Sequence, residues 1–335
     1  DRAFLAGRLA TALGRRAGLL ADPSTTGIRL VHGENDALPG LVVDVYGTTA
    51  VVKLYSAAWF PHLASVVDEL RSSAAVFGLD IARVVLRLAR LVAAGETHGL
   101  ADGDVVVGSA IDGSVTFLEH GLSLRADVVR GQKTGHFLDQ RDNRRRVGAR
   151  AAGKRVLDVF ASTGGFSLAA AAGGATAVHL VDLSAPAIDT ALVNLADNEH
   201  QPAVAACAVD STVGDAFDVL ADLARRGEQY DVVIVDPPSF APRRDAVDRA
   251  IRAYQRLTHL ALGVLAPGGT LVQCSCSSRV GADAFARTVL GAAEAAGRPL
   301  RDVERYGHAA DHPVGFEHGA YLDAVFATVD GGRGR

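Results

Sequence analysis

The sequence predicts an α/β protein in two parts, a small α+β unit followed by a larger one built on a mostly parallel sheet. Three observations carry this. From about Gly131 onward, strand and helix patterns alternate, the arrangement that covers a parallel sheet on both faces. Three of the apolar runs in that region end in distinctive loops, Ser162-Thr163-Gly164-Gly165, Asp236-Pro237-Pro238 and Ser275-Cys276-Ser277. Before residue 127, by contrast, short β-rich runs are separated by Asn35-Asp36, Pro39-Gly40 and Gly47, which are turn signals.

Taken in order, apolar positions at helical spacing among Arg8, Arg15 and Arg16 predict an amphipathic helix over 3–20, ended by Pro23-Ser24-Thr25-Thr26. Strands are expected at 28–32, 41–45 and 50–54, a helix at 61–72, and further short segments near 76–79, 83–86 and 105–109. A hairpin, 114–119 against 122–127, turns at His120-Gly121. The second part reads strand 156–160, helix 166–173, strand 178–181, helix 185–197, strand 204–207 and helix 215–226. Strand 231–235, helix 245–264, strand 269–274, helix 282–296 and a last strand at 321–328 follow. The expected domains are therefore 1–26 as an N-terminal helix, 27–127 as the small α+β domain, 128–330 as the larger domain and 331–335 as a mobile tail.

With 335 residues, 49% hydrophobic and 21% charged, the chain has room for two domains and a substantial core. No apolar run reaches the length needed to cross a bilayer, so no membrane partner is expected. Three cysteines argue for a reducing compartment rather than a disulfide framework, and no secretory leader pattern follows Asp1, so a cytoplasmic location is expected. A net charge of −4 means that any affinity for nucleic acid has to come from local patches. There are two: Arg141, Arg144, Arg145, Arg146, Arg150, Lys154 and Arg155 before the first strand of the larger part, and Arg243, Arg244, Arg249, Arg252 and Arg256 after the Asp-Pro-Pro turn. Each cluster reads equally as a solvated helix face or as a nucleic-acid contact.

The glycine turn after 156–160 narrows the ligand. Gly164-Gly165 suits a loop pressed against a cofactor, because glycine tolerates positive φ and lets a ligand approach the backbone. The turn lacks the G-x-G-x-x-G pattern that cradles a pyrophosphate, and it carries Asp158 on the strand before it. Asp182, ending the next strand, stands where a carboxylate accepts hydrogen bonds from ribose hydroxyls. An acidic first strand suits an ammonium or sulfonium charge, and S-adenosylmethionine meets that description. Read alone, Asp158 could be a loop-pinning carboxylate; Asp182 and Asp236, also at expected strand ends, favour the ligand reading.

The motifs GQKTGHFLDQRDNRRR (131–146), DVFASTGGF (158–166), DPPSF (236–240), SCS (275–277) and AADHP (309–313) together resemble the class I S-adenosylmethionine-dependent methyltransferases. Within them the chain is similar to the ribosomal RNA large-subunit methyltransferase I family of 23S rRNA cytosine-C5 methyltransferases. RLVHGENDALPGLVVDVYG (29–47) also looks like the small domain preceding the methyltransferase there. The resemblance implies a Rossmann-like methyltransferase domain with a mostly parallel seven-stranded sheet, the last strand inserted antiparallel. It implies RNA, ribosomal RNA in particular, as partner, and a homodimer. Members usually begin with an RNA-binding PUA domain, and the expectation is that this chain lacks it, opening on what resembles the helix just after it.

Carried onto this sequence, the cofactor residues are Phe137, Asp139, Asp158, Phe160, Ser162, Thr163, Gly164, Gly165, Phe166, Asp182, Leu183, Ser184, Asp215, Ala216, Asp236 and Pro237. The resemblance makes Asp215 the partner of the adenine amino group, with Asp210 competing, and has 133–141 close over the methionine moiety. Lys133, Arg141, Arg144, Arg145, Pro238, Phe240, Arg243, Arg244 and His312 are expected to face substrate RNA. The two prolines after Asp236 stiffen its loop, and Asp236 is placed to bond the edge of a flipped base.

Cys276 bears most on the choice of base. Carbon 5 of cytosine becomes nucleophilic only after something adds to carbon 6, and a thiolate both attacks well and leaves again. The resembling family carries its candidate cysteine at this S-C-S, so Cys276 and Asp236 are the expected catalytic residues. A free cysteine is otherwise a small buried hydrophobe, the reading adopted for Cys207. No second pair at ligand spacing accompanies Cys274-x-Cys276, so no metal is expected. Ser239 stands where some cytosine-C5 enzymes carry a second, product-releasing cysteine. Alternatives are a guanine or adenine RNA methyltransferase with Cys276 structural, a small-molecule methyltransferase, and a non-catalytic RNA-binding factor.

Overall fold

Valine and leucine dominate 27–54, and in the computed structural model, which describes residues 2–241, 243–316 and 319–330 apart from the Arg244 side chain, they form three successive antiparallel strands. These are β1 (Gly27–His32), β2 (Leu41–Tyr46) and β3 (Thr49–Leu54). β4 (Arg83–Leu88) lies parallel to β3, a pairing that needs a crossover, and the helix Leu63–Val76 supplies it. β5 (Val105–Val107) completes a five-stranded sheet in sequential order, and β6 (Val115–Glu119) with β7 (Leu122–Ala126) makes the hairpin. Leu30, Val43, Val52 and Leu86 from the sheet share one core with Leu9 and Leu13 of the first helix and Leu70 of the crossover helix. The first of two compact units comprises Asp1–Arg141 and Ala309–Gly319.

The second unit, Asp142–His308 with Ala320–Arg335, holds a seven-stranded sheet. Its strands are β8 (Arg155–Val159), β9 (Ala177–Asp182), β10 (Ala208–Val213), β11 (Tyr230–Val235), β12 (Leu265–Cys276), β13 (Leu300–Tyr306) and β14 (Leu322–Val329). They lie in the order β10-β9-β8-β11-β12-β14-β13, with β14 antiparallel to both neighbours. This is the Rossmann-like arrangement expected, antiparallel strand included. The chain leaves β8 toward β9 on one side, while β11 leads to β12 on the other. Such a switch point opens a crevice beyond the carboxyl ends of the strands.

Several local expectations are corrected. The strand placed at 204–207 is the helix Pro202–Ala206, and the strand follows at Ala208–Val213. As a sheet edge, β10 is largely exposed and so carries the polar run Asp210-Ser211-Thr212, which hides it from apolar patterning. β13, also at an edge and mostly exposed, escaped for the same reason. The short segment near 76–79 is the end of the helix Leu63–Val76 and the turn that follows it. The first helix breaks at Arg16, between Arg2–Arg15 and Ala17–Leu20, where that buried guanidinium grips Asp36 at 2.7 Å. Residues 84–98 contain most of β4 and the short helix Arg90–Ala93.

The division between the units falls at Arg141 rather than at 127/128, and Ala309–Gly319 belongs with the first. Asp311 explains both. Its carboxylate accepts from Arg141 Nη1 at 3.0 Å and Nη2 at 2.6 Å and from the Arg29 backbone N–H at 2.8 Å, while its carbonyl accepts from Arg16 at 2.9 Å. The tail 331–335 lies outside the described residues.

Candidate active site

Between β8 and the helix Gly165–Ala172 the backbone enters the left-handed region at Phe160 (φ 65°), Ser162 (φ 49°) and Gly164 (φ 75°). For the two side-chain-bearing residues this costs on the order of 1–2 kcal/mol each, a strain that bends the loop over the strand end. Glycine is required at position 164, where φ is positive and a helix packs close, and Gly165 leaves room for a neighbouring side chain. A Cβ on Gly164 would lie 2.6 Å from the Ala191 Cβ, and one on Gly165 would lie 2.8 Å from Arg144 Cδ. Arg144, expected to meet RNA, is instead buried against this turn.

Asp182 ties the loops together, its Oδ2 accepting from the Ser162 N–H at 2.8 Å and its Oδ1 from the Ser184 N–H at 2.8 Å. Ser184 in turn caps the helix Ala185–Ala196. From that helix Asn194 Nδ2 donates to the Thr163 carbonyl at 2.9 Å. Sequence reasoning passed over Asn194; the available signal was a buried asparagine on an otherwise apolar helix face.

Asp158 is fully buried, with Oδ2 accepting from the Ser167 N–H at 3.0 Å and Oγ at 2.7 Å. Among the described residues Oδ1 has no hydrogen-bond partner. Burial pushes this carboxyl up to about 6; the Ser167 bonds and Arg144 oppose the rise and repulsion from Asp182 adds to it. A buried carboxylate oxygen lacking a donor among the described residues fits a ligand that brings its own ammonium group.

Asp215 stands just beyond β10 and caps the helix Ala216–Arg225, its Oδ1 accepting from the Phe217 N–H at 2.9 Å. Asp210 lies mid-strand and lines a groove of about 590 Å³ with His179, Thr212 and Tyr230. That groove shares Gly214 and Asp215 with the carboxyl-end loops but otherwise runs along the amino-terminal part of the sheet, so Asp215 is the better placed of the two. Asp215, Asp182, Asp158 and Asp236 thus belong to the neighbouring strands or strand ends β10, β9, β8 and β11. Leu183 is exposed at the tip beyond β9, whereas Phe166 and Ala216 are buried and Phe160 packs against the sheet core.

On the other side of the switch point, Asp236 follows β11 and Cys276 ends the adjacent parallel strand β12. The Cys276 Sγ lies 3.9 Å from Asp236 Oδ1. Cys276 is partly exposed, while Cys274 and Cys207 are buried. The helix Val247–Val264 pins this strand end: Tyr254 Oη lies 2.8 Å from Ser275 Oγ, and Thr258 donates to Gln273 Oε1 at 2.8 Å. Pro237 is buried, Pro238 is exposed and Phe240 packs against Tyr254 at 5.3 Å between ring centroids.

Of the remaining expected residues, Lys133, Phe137, Asp139, Arg141 and His312 belong to the first unit. Lys133 pairs with the buried Asp139 and sits 4.5 Å above the Phe137 ring. Arg141 and His312, expected to face RNA, are buried around Asp311, with His312 Nδ1 2.9 Å from its carboxylate. Burial alone would raise the Asp311 carboxyl, but His312 and Arg141 together hold it well below the usual range. Burial, reinforced by Arg29, pushes the His312 imidazole down. Arg145 and Arg243 are exposed; the side chain of Arg244 lies outside the described residues.

Residues 102–326 match the family model of S-adenosylmethionine-dependent methyltransferases. A Ribosomal RNA large subunit methyltransferase from Deinococcus radiodurans is 46% identical, the match covering 98% of this chain and 80% of that protein. A Ribosomal RNA large subunit methyltransferase I from Shewanella amazonensis is 36% identical, with 98% and 81% covered. Among solved structures, SMU.776, described as a methyltransferase complexed with SAH, superposes with a TM-score of 0.83 at 23% identity over 98% of this chain and 82% of that one. This last likeness is one of fold.

Proposed function

The chain belongs to the S-adenosylmethionine-dependent methyltransferase family, among relatives named ribosomal RNA large subunit methyltransferases, and from that premise we propose that it methylates carbon 5 of a cytosine in large-subunit ribosomal RNA through a covalent Cys276 adduct. One observation carries the choice of base: Cys276 Sγ ends β12 within 3.9 Å of the Asp236 carboxylate on the neighbouring strand loop. A transfer to an exocyclic amine or a ring nitrogen needs no nucleophile there.

The Cys276 thiolate adds to carbon 6, and the electron pair moves to carbon 5. Bound S-adenosylmethionine supplies the electrophilic methyl group and leaves as the thioether. A general base takes the carbon 5 proton, the electron pair of that C–H bond restores the 5,6 double bond, and the C–S bond breaks to release the Cys276 thiolate. Asp236 bonds the edge of the flipped base and holds carbon 6 toward the sulfur. Toward the donor, Asp158 offers a carboxylate to the ammonium, Asp182 to the ribose and Asp215 to the adenine end.

Cys276→Ala is expected to lose methyl transfer to 23S ribosomal RNA while binding S-adenosylmethionine in calorimetry as the parent does. Full turnover in that variant, or a methylated nucleoside other than 5-methylcytidine, would remove the covalent cytosine mechanism.

A further inference from the structure

The helix that begins just after the Asp-Pro-Pro loop carries an exposed row of cations. On Val247–Val264, Arg249, Arg252, Arg256 and His259 are all exposed and fall at successive intervals of three and four residues, hence on one face. From Arg249 to Arg256 the row runs about 10 Å along the axis, the scale of a short run of phosphates. Among the described residues none of these three arginines has a carboxylate within ion-pair distance. Arg256 lies 4.7 Å from the Phe217 ring centroid, stacking that steadies the guanidinium without neutralising it. Asp248 occupies the first turn, where a carboxylate complements the helix N-terminus.

On the inner side, the same helix holds the Cys276 strand end through Tyr254 and Thr258. One helix therefore braces the candidate nucleophile inside and displays three exposed guanidinium groups outside. In a chain of net charge −4, three neighbouring arginines that have no counter-ion among the described residues are a local feature that suits a polyanion.

We propose that this face is the track along which the RNA strand carrying the target base is held by its phosphates. The inference rests on the RNA methyltransferase reading above and adds to it the surface that engages the substrate. Phosphate contacts position a strand without reading its sequence, so the row acts on affinity and leaves the chemistry at Cys276 alone.

The test uses the full chain, an in vitro 23S ribosomal RNA transcript, and the variant Arg249→Gln/Arg252→Gln/Arg256→Gln. Each phosphate contact contributes about 0.7–0.9 to the slope of log affinity against log salt. Filter binding from low to moderate salt should therefore show a slope flatter by about 2 in the variant. KM for RNA should rise while kcat at saturating RNA and calorimetric affinity for S-adenosylmethionine stay at parental values. As a control, Arg155→Gln, from the other arginine cluster, should keep the parental slope. If the parent methylates the transcript and the triple variant keeps its slope and KM, the track is overturned and an acidic protein becomes the better candidate for that face. If the parent transfers no methyl group to RNA, the functional reading fails and the track fails with it.

Discussion

Two arginine-rich segments of similar composition meet opposite fates. In 141–155, Arg141 is fully buried with Asp311, Arg144 is buried against Gly165, and Arg146 stacks 3.9 Å from the Tyr306 ring centroid. Arg150 reaches Glu304 at 2.6 Å and Arg155 reaches Glu228 at 3.3 Å; Arg145 and Lys154 stay exposed. In 243–256, Arg243 makes only a loose pair with Asp245 at 3.8 Å, both side chains well exposed, and Arg249, Arg252 and Arg256 face solvent. The first segment holds structure together and the second leaves its charge available. A count of arginines therefore says little about nucleic-acid binding until their partners are known.

The sharpest way to break the contrast is Arg141→Met. Leaving Asp311 buried beside an apolar side chain should lower unfolding free energy by about 3–5 kcal/mol in a denaturant titration, and replacing Asp311 with Leu as well should recover part of it. A change below about 1 kcal/mol would mean that the buried pair is not what fixes Ala309–Gly319.

Arg144 offers a second test, through Asp158. With its carboxyl pushed up to about 6 from the ordinary 3.8, Asp158 contributes stability to the ligand-free protein that is full below pH 3.8 and is lost as pH rises through about 6. A cationic ligand favours the ionised form, so affinity for S-adenosylmethionine should rise as pH climbs through about 6. Arg144→Gln removes a cation that opposes the rise, and should move that midpoint higher. Asp158→Asn should flatten the profile, and calorimetry across pH 5–8 would reveal an unshifted midpoint if the pairing is absent.

Smaller effects are expected at the surface. Arg155→Gln, whose pair with Glu228 is half exposed, should cost no more than about 1 kcal/mol. Arg252→Gln should leave stability within about 0.5 kcal/mol, so that any loss of RNA affinity there reflects binding alone.

The legible parts of the molecule were those where a local pattern and its tertiary role coincide. Buried strands β8, β9 and β11 are mostly apolar because they are covered on both faces, and their ends and loops carry the glycine, aspartate and proline of the candidate site. Edge strands β10 and β13 were illegible because exposure releases them from any apolar pattern. Arg144 looked like a surface cation in an Asn-Arg-Arg-Arg run, yet only its distance to Gly165 shows that it faces inward.

By itself, then, the sequence determined the buried strands of the parallel sheet and the residues that stand at their carboxyl ends, since periodicity and turn residues act over a few neighbours along the chain. Tertiary structure alone decided that Ala309–Gly319 joins a unit far back in sequence, that Arg141 and His312 are enclosed, and that Arg249, Arg252 and Arg256 are not. The physical reason is that a charge takes its role from the partner and the solvent around it, and both are fixed by residues distant along the chain.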